Sequence, residues 1–105
     1  MLFIETAVFT EDVSSLLTDD SYKAMQQALL FRPDAGALIP GGHGLRKLRW
    51  RTKSGGKRGG VRVIYYWIRD DDSIYLLTMY PKTRQDNLSP RQLKILSRIV
   101  QEELS

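Results

Sequence analysis

Apolar positions along the chain change period several times, and each change marks an element. Leu2 to Phe9 is a short run of apolar and β-branched residues that predicts a strand. From Thr10, a candidate N-cap, Val13, Leu16 and Leu17 predict a brief helix. A second helix opens at Thr18 or Asp20, places Tyr22, Met25, Ala28 and Leu29 on one face, and ends before Pro33 and Gly36. After the Pro40–Gly44 loop the period falls to two. Between Leu45 and Thr52, Leu48 and Trp50 point one way while Lys47, Arg49 and Arg51 point the other, as in a half-buried strand with a row of cations on its open face. Lys53 to Gly60 is a glycine-rich loop. Val61–Ile68 and Ile74–Tyr80 are almost wholly β-branched and aromatic, joined by a turn over Arg69–Ser73, and predict a hairpin in the middle of a sheet.

Ser89-Pro90-Arg91-Gln92 carries the clearest local signature, a capping serine, proline at the first helical position and glutamine at the third. Leu93, Leu96, Val100 and Leu104 follow on one face, with Ile95 and Ile99 beside them. The predicted order is βααβββα. It implies one α+β domain over residues 1–105, a small antiparallel sheet with helices packed on one face and the cations left on the other.

A chain of 105 residues has room for one core. Its net charge of +4 understates an asymmetry, because the stretch from Gly44 to Arg69 holds nine of the sixteen basic residues while residues 35–69 hold no carboxylate. Cations crowded this densely repel one another unless an anion sits among them, and nucleic acid is the natural polyanion of that size. The absence of cysteine excludes disulfides and thiolate metal sites. The N-terminal run meets Glu5 too soon for a signal peptide or a membrane span, so a cytoplasmic protein without membrane association is expected.

Several familiar chemistries fall away. One histidine, His43 in a glycine loop, gives no imidazole cluster for a metal and no pair for acid–base work. Gly55-Gly56-Lys57-Arg58 lacks the spacing of a nucleotide-binding P-loop, and Asp70-Asp71-Asp72 reads as a solvated turn. Lysines, arginines and tyrosines remain, and these suffice for RNA cleavage without a metal or other cofactor. Such cleavage needs a base for the ribose 2′-hydroxyl, cations for the phosphorane oxygens and an acid for the 5′-oxygen. A crowded lysine can serve as base or acid, and an arginine fork suits the non-bridging oxygens. Arg62 read as a structural ion pair would need a carboxylate from a neighbouring strand. Trp50, Tyr65, Tyr66 and Trp67 read mostly as core.

The runs Gly44–Trp50 (GLRKLRW), Gly56–Trp67 (GKRGGVRVIYYW), Tyr75–Lys82 (YLLTMYPK) and Asp86–Ser89 (DNLS) together resemble the HigB-like branch of the RelE/ParE toxin superfamily over nearly the whole chain. The resemblance implies a RelE-like fold and a toxin of a type II toxin–antitoxin module, a ribosome-dependent endoribonuclease that cuts mRNA during translation. It implies as partners the ribosome, mRNA and a cognate antitoxin, expected to be a helix-turn-helix protein. Carried over by position, Arg62 matches the arginine at the scissile phosphate and Lys82 the basic residue after the last strand. Lys57 and Arg58 belong to the loop motif. Arg62, Lys82 and Lys57 are then the catalytic candidates, with Lys47, Arg49, Arg51, Lys53, Arg58, Arg84 and Tyr80 as RNA-binding ones. The tyrosine that some RelE toxins carry near the C-terminus has no counterpart, and Tyr80 or Tyr66 is the candidate to replace it. Two other classes stay open: a ParE-like inhibitor of DNA gyrase, against which the GKRGG block argues, and an RNA-binding module without catalysis.

Overall fold

A computed structural model describes residues 1–52 and 60–104. The chain begins with β1 (Leu2–Glu5), which ends sooner than the apolar run suggests, because Thr6 rather than Thr10 caps the first helix by accepting from the Phe9 N–H. The helix α1 (Ala7–Leu16) thereby gains Phe9, which lies on its buried face with Val13 at i,i+4. Thr18 caps α2 (Asp19–Phe31), with Asp19 and Asp20 favourably placed in its first turn. A two-residue strand, β2 (Ala37–Leu38), is too short to leave a periodic signal in the sequence. It is followed by β3 (Arg46–Trp50), β4 (Val61–Ile68), β5 (Ser73–Pro81) and α3 (Pro90–Ile99), which runs on into a π-helical turn at Val100–Leu104. The capping box at Ser89 and Gln92 forms as its residues dictate.

The strands form one sheet in the order β1-β5-β4-β3-β2. All pairs are antiparallel except β1 with β5, so the sheet is mixed, and the β4–β5 hairpin lies inside it as expected. Ile64 pairs with Thr78 and Tyr65 with Leu76, which leaves Leu77 as an extra residue on β5. The backbone there is held from α1 and its cap: the Thr6 hydroxyl donates to the Leu77 carbonyl, and Asp12 accepts from the Thr78 hydroxyl and the Met79 N–H.

The α+β class holds, but helices cover both faces of the sheet. On one face Phe9, Val13, Met25 and Leu29 of α1 and α2 pack on Leu48, Val63, Tyr65, Ile74, Leu76 and Met79. On the other, Leu93, Leu96 and Val100 pack with Leu45, Ile64, Leu77 and Tyr80. The reason is the composition of the hairpin. Strands β4 and β5 are apolar at consecutive positions, so both of their faces need covering. The cations keep only the end of the second face that α3 does not reach.

Candidate nucleic-acid interface

Strand register brings the cations together. Arg49 on β3 stands opposite Arg62 on β4, and Arg62 stands opposite Tyr80 on β5, so one rung across three strands reads Arg49–Arg62–Tyr80. The next rung reads Lys47–Ile64–Thr78. Directly opposed residues share a face, and Ile64 and Tyr80 belong to the core under α3; Lys47, Arg49 and Arg62 therefore look to the α3 side. Leu48 and Trp50 point to the opposite face, as the alternation predicts. Gly60 fixes the near end of this arrangement. Its φ of 73° and the 2.1 Å that would separate a Cβ from the Trp50 carbonyl oxygen leave no room for another residue where β4 approaches β3.

A segment after β5 folds back over these side chains. The Asp86 carboxylate accepts from Arg62 Nε at 2.8 Å. Lys47 Nζ donates to the Asp86 carbonyl at 3.3 Å and to Asn87 Oδ1 at 2.6 Å. The segment is pinned to the start of α3, because Gln85 Nε2 donates to the Asn87 carbonyl and to Gln92 Oε1, the same oxygen that receives the Ser89 N–H in the capping box. Arg62 is 4% exposed, a buried guanidinium neutralised at its Nε edge by a half-exposed carboxylate. The hydrogen bond from Arg62 first, then the positive charges of Arg62, Lys47 and Arg49, hold the Asp86 carboxyl below the usual aspartate range.

Tyr80 lies beside this pair and is 1% exposed, yet among the described residues its hydroxyl has no hydrogen-bond partner. Burial, followed by the negative charge of Asp86, raises its pKa, with Arg62 opposing, so at neutral pH the group is an O–H donor. An unmade hydrogen bond at a buried hydroxyl costs about 1–3 kcal/mol.

The remaining candidates divide by place. Arg49 and Arg51 are exposed and Lys47 is half-buried. Lys82 is exposed immediately after β5, its N–H donating to the Gly60 carbonyl, so it stands at the same end of the sheet. Arg84 is exposed in the turn that follows. Lys53, Lys57 and Arg58 lie outside the described residues. Beside the cation row a cavity of about 360 Å³ is lined by Lys47, Arg49 and Asn87 over Ile39, Leu88 and Leu93, a polar rim on an apolar floor.

Other polar and aromatic residues have structural work. The Trp50 indole donates to Ser21 Oγ, and the Tyr65 hydroxyl donates to the Pro33 carbonyl. Tyr66 packs under α3, Trp67 packs against the core on the other face, and Arg69 stacks over the Trp67 ring. Arg46 ties to the carbonyls of Asp34 and Gly36. His43 is exposed at a φ of 57°, and Asp72 closes the β4–β5 turn at a φ of 50°. Among the described residues no group of three or more histidine, cysteine, aspartate or glutamate side chains is placed to hold a metal ion, and no helix is long and apolar enough to cross a membrane.

Sequence reasoning missed the part played by Asp86 and Asn87. A carboxylate for Arg62 is expected from a neighbouring strand; Asp86 comes instead from the connection to α3, 24 residues away. A signal existed: in an antiparallel hairpin that pairs Val61 with Pro81, the connection to α3 leaves the sheet within two residues of Arg62 and has only to turn back to reach it.

A scan against known protein families finds no match to this sequence. Among solved structures, the fold is similar to that of a chain in the intact E. coli RelBE toxin–antitoxin complex, with a TM-score of 0.59 and 15% sequence identity over 76% of this chain and 94% of that one. At that identity the likeness is one of fold.

Proposed function

We propose that this chain is the toxin of a type II toxin–antitoxin module, of the HigB-like kind, and that it cleaves mRNA on the translating ribosome. The observation that carries this reading is the rung Arg49–Arg62–Tyr80 with Lys47 beside it: cations and a hydroxyl donor gathered at one end of a sheet whose fold is that of a chain in a toxin–antitoxin complex. In this reading a phosphodiester lies across the rung. The 2′-hydroxyl oxygen attacks phosphorus, its proton passes to a basic side chain, and the P–O5′ bond breaks as the leaving oxygen takes a proton. Arg62 and Arg49 neutralise the non-bridging oxygens as charge builds on them, and the Tyr80 O–H adds a neutral donor. Lys82, at the same end of the sheet, and Lys57, from the GKRGG sequence motif, are the candidates for proton transfer. Arg51, Lys53, Arg58 and Arg84 supply longer-range attraction to ribosomal and messenger RNA. A cognate antitoxin masks this basic end or blocks entry to the ribosome, and the site of action is the cytoplasm.

Induction of the chain without an antitoxin tests the reading. Growth should stop, and primer extension should map cuts within translated codons. Arg62→Ala should lower cleavage by about a hundredfold or more, the usual scale for losing a donor to a developing oxyanion, and Lys82→Ala should impair it as well. Full toxicity of both variants would remove the site assignment. Growth arrest with intact messages and a DNA-damage response would replace the reading with gyrase inhibition.

A further inference from the structure

We infer that Asp86 is a built-in stand-in for phosphate: its carboxylate, with the side-chain oxygen of Asn87, fills the anion position formed by Arg62, Lys47 and the Tyr80 hydroxyl, and an RNA phosphodiester takes that position by displacing it. The inference deepens the proposed function and rests on its premise that this face grips phosphate. Three oxygens of two consecutive residues take up these cations, the Asp86 carboxylate on Arg62 Nε and the Asp86 carbonyl and Asn87 Oδ1 on Lys47 Nζ. The anionic carboxylate oxygen at 2.8 Å from Arg62 and the Asn87 oxygen at 2.6 Å from Lys47 stand about where two oxygens of a phosphate would. A phosphate approaching any edge of the Arg62 guanidinium meets the Asp86 charge within a few ångströms, and like charges at that distance repel.

The Tyr80 hydroxyl supplies a second observation. It is buried next to this pair, remains protonated, and has no partner among the described residues while the segment is in place. A carboxylate presents two oxygens in one plane, whereas a phosphate presents its oxygens in a tetrahedron and can engage both the arginine and a neighbouring hydroxyl. The site therefore holds one more donor than its present occupant uses. Displacement is feasible because the segment is a connection outside regular structure, with Asp86 and Asn87 both exposed, while its flanks stay held by the Pro81 carbonyl, by Leu88 packed under α3 and by the α3 cap. The half-exposed carboxylate makes a screened ion pair that an incoming phosphate can replace.

Binding of inorganic pyrophosphate and of a short polyuridylate to the whole chain, measured by calorimetry at low salt, tests this. Asp86→Asn keeps the size and one acceptor oxygen but removes the charge, and should tighten both ligands by roughly five- to tenfold. Asp86→Ser should do the same and serves if the asparagine variant folds poorly. The gain should vanish in an Arg62→Gln background, and Tyr80→Phe should weaken pyrophosphate binding by about threefold or more in the Asp86→Asn protein. Unchanged or weaker binding by well-folded Asp86 variants would overturn the inference and make Asp86 a support for Arg62, as would no measurable pyrophosphate binding by any variant. Tighter pyrophosphate binding without cleavage of translated mRNA would leave the stand-in intact and remove the ribonuclease reading. Cleavage by the wild-type chain with no response to Asp86→Asn would do the reverse.

Discussion

Tyr65 and Tyr80 are buried almost completely on opposite faces of the same sheet, and their hydroxyls fare differently. The Tyr65 hydroxyl donates to the Pro33 carbonyl at 2.7 Å and accepts the Gly36 N–H at 2.8 Å. The Tyr80 hydroxyl makes no such bond among the described residues, and its neighbours are Arg62 and Asp86. The face under α1 and α2 is thus closed, with apolar side chains packed and a buried polar group satisfied. The face under α3 is closed only where Leu93, Leu96 and Val100 reach. Beyond them it carries charge and a spare donor. Folding is served by the first face and by half of the second; the unfinished half is where a ligand has something to complete.

Substitutions on the two faces should separate stability from activity. Met25→Ala removes a fully buried side chain from the closed face and should lower unfolding free energy by about 2–5 kcal/mol in urea titration. Tyr65→Phe leaves the Gly36 N–H and the Pro33 carbonyl without their partner and should cost about 1–3 kcal/mol. Tyr80→Phe removes a buried hydroxyl with no partner among the described residues, so stability should hold or rise by up to about 3 kcal/mol; a loss like that of Tyr65→Phe would erase the contrast. Ser89→Ala breaks the capping box and should cost about 1 kcal/mol while loosening the segment that carries Asp86.

The smallest effect concerns pH. The Asp86 carboxyl titrates below its unfolded value in the folded chain, so its pair with Arg62 contributes fully above the ordinary aspartate pKa and is lost as pH falls through the lower folded value. The difference in melting temperature between wild type and Asp86→Asn should therefore shrink as pH drops below about 4. A difference independent of pH would mean that the charge of Asp86 does not support the fold.

Much of this fold can be read from local rules. The capping box at Ser89, the strand Val61–Ile68, the α2 face of Met25 and Leu29, and the alternation of Lys47 and Arg49 with Leu48 and Trp50 follow from spacing and residue type alone. Arg51 departs from the row, since it lies past the end of β3 and lines a cavity with Ser21 and Ala24 of α2. Thr10 misled because Val8 and Phe9 suit a strand as well as a helix, and the tie is broken by the space for Phe9 beside Val13. The two-sided cover of the sheet was also hidden. Consecutive apolar residues in β4 and β5 permit it, but which face α3 takes depends on the path of the chain after Pro81. At the candidate site, the cations were legible as a cluster and Arg62 as one candidate through the family resemblance, whereas the Asp86 contact depends on a loop closing back on a strand. No periodic pattern encodes that.

Leu77 has a consequence out of proportion to its chemistry. Side chains along a strand alternate, so one additional residue reverses the sense of everything beyond it. Met79 and Tyr80 owe their orientations to that half-step. Flattening the bulge, so that Leu77 itself paired with Ile64, would turn the phenol into the oily interior beneath the first two helices and bring a methionine round to face Arg62. Deleting Leu77 would instead remove bulge and half-step together and leave both side chains where they are.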